Sequence, residues 1–254
     1  MRRLKISRYI PQPVRRQLRQ EAFFGCAQCG CPILDYHHII PWEERHHNEV
    51  EHMIALCPTH HRDIAKRRRS YAYDLKENPY NKTSNNVNGL LATDFSEPIF
   101  ELGTNTYIAT PIIFSYYHVP IFKYEVEEGQ TLLTVFIPKN DFWPEIEIVK
   151  NEYRSTAADF WDIEFRTNYL KIKKDDKSKF FEIDLRKGPA KVSANFEING
   201  QKFSFSPTST SLGGVTMQNC TFSNCAGGIA VGNGRQRLLR PNYAMAHPSV
   251  KFTN

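Results

Sequence analysis

Apolar residues recur every fourth position between 14 and 24, VRRQLRQEAFF, where Val14, Leu18 and Ala22 share one helical face. The spacing predicts a short helix, with Pro13 suited to its first turn and Gly25 as its stop. CAQC at 26–29 reads as a tight turn. Residues 33–40 read as a strand closed by Pro41, and a polar loop, EERHHNEVE, follows. Met53–Leu56 is a second strand, and Pro58 opens a helix, PTHHRDIAKRRRS. Turn, strand, loop, strand and helix make a compact ββα unit. It is too small to bury a sufficient core alone, so a metal staple is physically reasonable.

The pattern changes after 76. KENPYNKTSNNVNG is rich in Asn, Ser, Pro and Gly and reads as a linker. From 95 to 206, period-two alternation recurs in NYLKIKK and FEIDLR, with turns at EEGQ, KKDDKS, RKGP and INGQ. This predicts an antiparallel β sandwich or barrel, with Phe142, Trp143, Phe160 and Trp161 in its core. From 207 the chain turns to Gly, Asn and Ser around spaced apolar residues, which resembles one coil of a β-helix. Such a coil must dock on the β domain or stack between subunits, and Cys220 and Cys225 read as small buried hydrophobes within it. The expected organisation is multidomain α+β: a ββα domain over 1–80, a linker over 81–94, an all-β domain over 95–206 and a tail over 207–254.

Composition adds limits. Hydrophobic content of 41% is enough for real cores, and no apolar stretch is long enough for a membrane span. The basic start lacks the apolar run of a secretory signal, so a cytoplasmic protein is expected. The formal charge of +6 is unevenly placed. Residues 1–20 are basic without an acid, 62–69 hold Arg62, Lys66, Arg67, Arg68 and Arg69 opposed only by Asp63, and the chain beyond 80 is nearly balanced. Arg15, Arg16 and Arg19 on the first helix, and Arg62, Lys66, Arg67, Arg68 and Arg69 on the later one, are therefore candidate phosphate contacts.

Four of the six cysteines fall at 26, 29, 31 and 57, among seven histidines. Cys26 and Cys29 form a C-x2-C pair, and Cys57 and His60 form a C-x2-H pair. Together they make a Cys3His structural zinc set, with Cys31 either filling space or replacing Cys29. His37 and His38 are neighbours at a strand end, so one can hold a metal while the other faces water or substrate. His60 and His61 point about 100° apart on a helix, which lets one face zinc and the other an active site. His46 and His47 read as solvent-facing loop residues.

The stretch CAQC at 26–29, LDYHHIIP at 34–41 and HMIALCPTHH at 52–61 resembles the HNH endonucleases, the ββα-metal nucleases, over roughly residues 20–70. The resemblance implies that His37 ligates a catalytic cation, His38 is the general base and His61 is the second ligand. His52 stands where the family usually has Asn, giving an HHH-like variant in which it orients His38 or helps hold metal or phosphate. Asn48 is a rival for that position but breaks the register. His60 replaces the usual last knuckle cysteine. The implied cation is magnesium, with manganese, nickel or zinc as alternatives, beside the structural Zn2+. The implied partner is nucleic acid, double-stranded DNA before RNA, and restriction or antiphage defence is a setting suggested by association. The competing expectation is a non-catalytic zinc module that only binds nucleic acid, with the β region sensing a ligand or assembling a homo-oligomer.

Overall fold

A computed structural model describes residues 7–92, 98–139, 144–177 and 179–232. The chain is mixed α+β and divides into two compact units. The first comprises 1–89 together with 156–166 and 172–177; the second comprises 90–155, 167–171 and 178–254.

The first unit is organised around a two-stranded antiparallel ribbon, β1 (Asp35–His38) and β2 (Met53–Leu56), in which Tyr36 pairs with Ala55 and His38 with Met53. All four residues of β2 are buried, which explains an unbroken apolar run rather than alternation. Met53 and Ala55 pack with Leu18 and Ala22 of helix α1 (Gln12–Glu21). Ile54 and Leu56 face the other way, into a cluster with Cys26, Cys57, Ile64 and Ala72. Ile64 ends helix α2 (Pro58–Ile64), and Ala72 lies in helix α3 (Arg69–Glu77). The single helix expected from Pro58 onward is thus broken into two, with a turn in which Arg67 N–H bonds to the Ile64 carbonyl. The first strand is shorter than expected because Ile33 leaves the ribbon to bridge Phe165 of the same unit.

The first unit also recruits later chain. Arg19 on α1 is 4% exposed and makes a two-pronged bond to Asp162, at 2.9 and 2.7 Å, with Tyr36 Oη at 2.8 Å. Gln20 donates to the Trp161 carbonyl at 2.6 Å. Trp161 is half-exposed rather than core, with Arg16 and Lys173 set over its ring at 4.2 and 4.9 Å. Phe160 is buried as expected. Phe142 and Trp143 lie outside the described residues.

The second unit holds large β-sheets. One runs antiparallel through Ile112–Tyr116, Val119–Glu127, Gln130–Pro138, Pro144–Val149 and Glu152–Thr156. The other centres on Phe181–Asp184, Ala190–Ile198, Gln201–Ser206 and Ser209–Leu212. Phe114 and Phe122 of the first sheet meet Phe196 and Phe205 of the second, a buried aromatic core. The expectation of a sandwich or barrel therefore holds at the level of large β-sheets, and neither closure nor a β-helix emerges among the described residues. From 209 to 232 the tail runs as strands within these sheets: Thr221–Ser223 pairs in parallel with Asn105–Ile108, and Gly227–Val231 with Ile112–Tyr116. Asn219, just before the first of these strands, and Asn224, between the two, both have positive φ. Cys220 and Cys225 are half-exposed free thiols, not buried hydrophobes. Among the described residues no helix is long and apolar enough to cross a membrane.

Candidate metal centre and histidine cleft

Two backbone devices build the metal centre. The loop from Cys26 closes on itself, with Cys26 N–H bonded to the Cys31 carbonyl and Gly30 N–H to the Cys26 carbonyl, both at 2.8 Å. Gly30 has φ +75°, and a Cβ there would lie 2.5 Å from Asn81 Oδ1, so a side chain is excluded twice over. Cys57 is the residue before α2, which places His60 one turn further on.

Cys26, Cys29, Cys57 and His60 converge, with all four ligand atoms within 4.8 Å of one another. Cys26 Sγ and Cys57 Sγ each lie 3.4 Å from His60 Nδ1, and Cys29 Sγ lies 3.9 Å from Cys57 Sγ. A zinc tetrahedron with Zn–S near 2.3 Å and Zn–N near 2.0 Å has S···S edges of about 3.8 Å and S···N edges of about 3.5 Å. The donors are therefore spaced for one zinc ion, with His60 presenting Nδ1. Cys31 is outside the group, its thiol directed to the Ile33 carbonyl. Burial pushes the Cys26 thiol up to about 12. Burial also disfavours the Cys57 thiolate, but backbone N–H groups of His60 and Thr59, with the neighbouring thiols, hold it below its ordinary value. A metal ion would replace these protons and couple its binding to folding.

A second group of histidines lies apart from that cluster. His37 and His61 meet edge to face with ring centroids 5.2 Å apart. Both line an open cleft of about 740 Å³, as does His38. Burial, reinforced by the neighbouring His61 and His38, pushes His37 down to about 4, so it is neutral at physiological pH. Burial lowers His38 as well, while a bond to the His47 backbone pulls it partly back. His38 Nε2 lies 3.0 Å from the His47 carbonyl. A carbonyl can only accept, so Nε2 carries the proton and Nδ1 is left with its lone pair.

The adjacent residues His60 and His61 thus serve different groups. His52 does not line the cleft: its Nδ1 bonds Tyr73 Oη at 2.9 Å and its ring stands 6.0 Å from that of His47. The cleft is cationic, with Arg8, Arg62, Arg67, Arg68 and Arg69 against the single acid Glu43. Lys66 is exposed but off the cleft, and Arg69 is paired with Glu44. Arg15 stacks over Tyr9 at 4.9 Å and Arg16 over Trp161, and neither lines the cleft. Arg19 is removed from the phosphate contacts altogether, because Asp162 and Tyr36 consume its guanidinium in the interior.

Sequence reasoning missed Arg8, Trp42 and His47. Arg8 and Trp42 line the cleft without belonging to any motif. Trp42 stacks on the exposed His46 at 4.9 Å. His47, expected in solvent, is 2% exposed. No family model, no curated protein and no solved structure matches the chain.

Proposed function

We propose that the chain is a metal-dependent endonuclease of the HNH kind, hydrolysing phosphodiester bonds in nucleic acid, DNA before RNA. The observation that carries this reading is the convergence of His37, His38 and His61 on one arginine-lined cleft, separate from the zinc-type cluster. A structural zinc needs none of these three histidines.

The donor set suits a second cation. Two imidazoles on one ion at metal–nitrogen distances of about 2.1 Å span the separation seen between His37 and His61. That cation would stabilise charge developing on the phosphate and the leaving oxygen. Magnesium would suit the phosphate chemistry, while the imidazole donors favour nickel or zinc, with manganese a further alternative. His38 supplies the base: Nδ1 accepts a proton from the attacking water while Nε2–H stays on the His47 carbonyl. Arg62, Arg67 and Arg68 hold flanking phosphates, which positions the substrate without reading its sequence. His52, tied to Tyr73, supports the histidine layer from behind.

The test is cleavage of DNA and RNA substrates across a metal series. Wild type should cut, and His38→Ala should lose about 100-fold or more in rate while keeping its zinc and its affinity for nucleic acid. A wild type that binds but cuts nothing under any divalent metal would establish the non-catalytic binding module instead.

A further inference from the structure

His47 is a buried histidine with no place in the motif, yet both of its ring nitrogens and its carbonyl are used. Its Nε2 lies 3.0 Å from the Ile40 carbonyl. Its Nδ1 lies 3.2 Å from the backbone nitrogen of Glu49 and accepts that N–H. The two bonds agree on one tautomer, with the proton on Nε2. The ring therefore ties residue 40, just past β1, to residue 49, just before Val50–His52. The loop between them is otherwise polar and exposed over Glu43–His46. Its closure places the His47 carbonyl 3.0 Å from His38 Nε2, with the two rings 5.0 Å apart, edge to face.

We propose that His47 is the positioning residue for His38: its imidazole buckles the 40–49 loop so that its own carbonyl fixes the tautomer of His38 and leaves Nδ1 free for water. His38 Nε2 lies 3.0 Å from the His47 carbonyl, with the Asn48 side chain also acting on the ring, and that carbonyl is held in place by its own side chain. Burial makes the arrangement stiff, because a ring nitrogen that lost its partner there could not turn to water. The catalytic meaning of this buckle rests on the nuclease reading above; its structural content does not.

The test combines a spectroscopic readout with kinetics on the full-length, zinc-loaded protein. Long-range nitrogen–proton NMR correlations at neutral pH report which ring nitrogen carries each proton. Wild type should show the proton on Nε2 in both His38 and His47. His47→Ala should release His38 to a mixture of tautomers and lower kcat about 10- to 100-fold, part of what a general base contributes, with KM nearly unchanged. His47→Gln, which keeps one donor and one acceptor, should restore the His38 tautomer and much of kcat. A His38 proton on Nδ1 in wild type would overturn the proposal even if no variant folds. So would a His47→Ala protein with unchanged tautomer and kcat. A wild type with the expected tautomers that cuts no nucleic acid would instead sink the nuclease reading, so the two failures are distinguishable.

Discussion

Arg19 sits in a run of basic residues that, taken along the chain, has the look of a phosphate-binding face, yet its guanidinium is spent inside the protein on Asp162 and Tyr36. A buried ion pair resists loss of one partner, because the survivor is left charged and uncompensated. Asp162→Ala should therefore cost about 3–5 kcal/mol in denaturant unfolding, while the double change Arg19→Met with Asp162→Leu should cost far less. A loss under about 1 kcal/mol for the single change would contradict the buried-pair account. His37 allows a pH test. Burial holds it near 4, against about 6.5 for a free imidazole. The unfolded chain thus binds the extra proton between those values, so the stability tied to neutral His37 is full above about pH 6.5 and declines as pH falls toward 4. NMR of protein carrying one equivalent of zinc should find His37 still neutral at about pH 5.5, where an ordinary imidazole is mostly charged. At this scale the ligand spacing was legible from local sequence: C-x2-C and C-x2-H name the four zinc-type donors. Arg19 and His47 were not, because the partners that bury them, Asp162 and the Ile40 carbonyl, leave no local pattern.

The elements that carry the site are short, and their stability comes from being stapled. β2 is sandwiched between two apolar clusters, but α2 has only seven residues and lacks a side-chain cap. Zinc at the knuckle would fix both ends of this assembly, the 26–31 loop and the start of α2. Chelation, or Cys57→Ser, should therefore speed hydrogen exchange across Met53–Leu56 and abolish cleavage, with the β-sheets of the second unit still protected. Unchanged protection of Met53–Leu56 after confirmed metal loss would show that packing alone suffices. Met53–Leu56 was readable to the residue because both of its faces are buried and it carries no polar interruption. The break between α2 and α3 was not, since KRRRS continues a run of good helix formers and the turn at Arg67 is set by backbone bonds.

At the scale of the molecule, the change of composition near residue 80 signals two kinds of chain, but the first unit does not end there. It takes in 156–166 and 172–177, which sequence periodicity assigns to one long β region. The reason is physical: DIEFR alternates like any strand, and nothing local says that Asp162 answers a charge 143 residues away. A fragment of residues 1–94 should therefore be markedly less stable than the same unit in the full chain, and Arg19→Met should recover part of the loss in thermal melts. An equally stable wild-type fragment would refute the contribution of the later segments. The tail shows the same limit, since its spacing suggests a coil while its partners are strands a hundred residues earlier.

The same interleaving has a consequence for synthesis. During translation the histidines and cysteines of residues 26–61 leave the ribosome ahead of the β region, but the acid that neutralises Arg19 emerges only after the strands up to Glu152–Thr156 have been made. The cleft-bearing unit would thus be held unfinished while its messenger is still being read, and its maturation would be timed by the arrival of Asp162 rather than by the completion of its own motif.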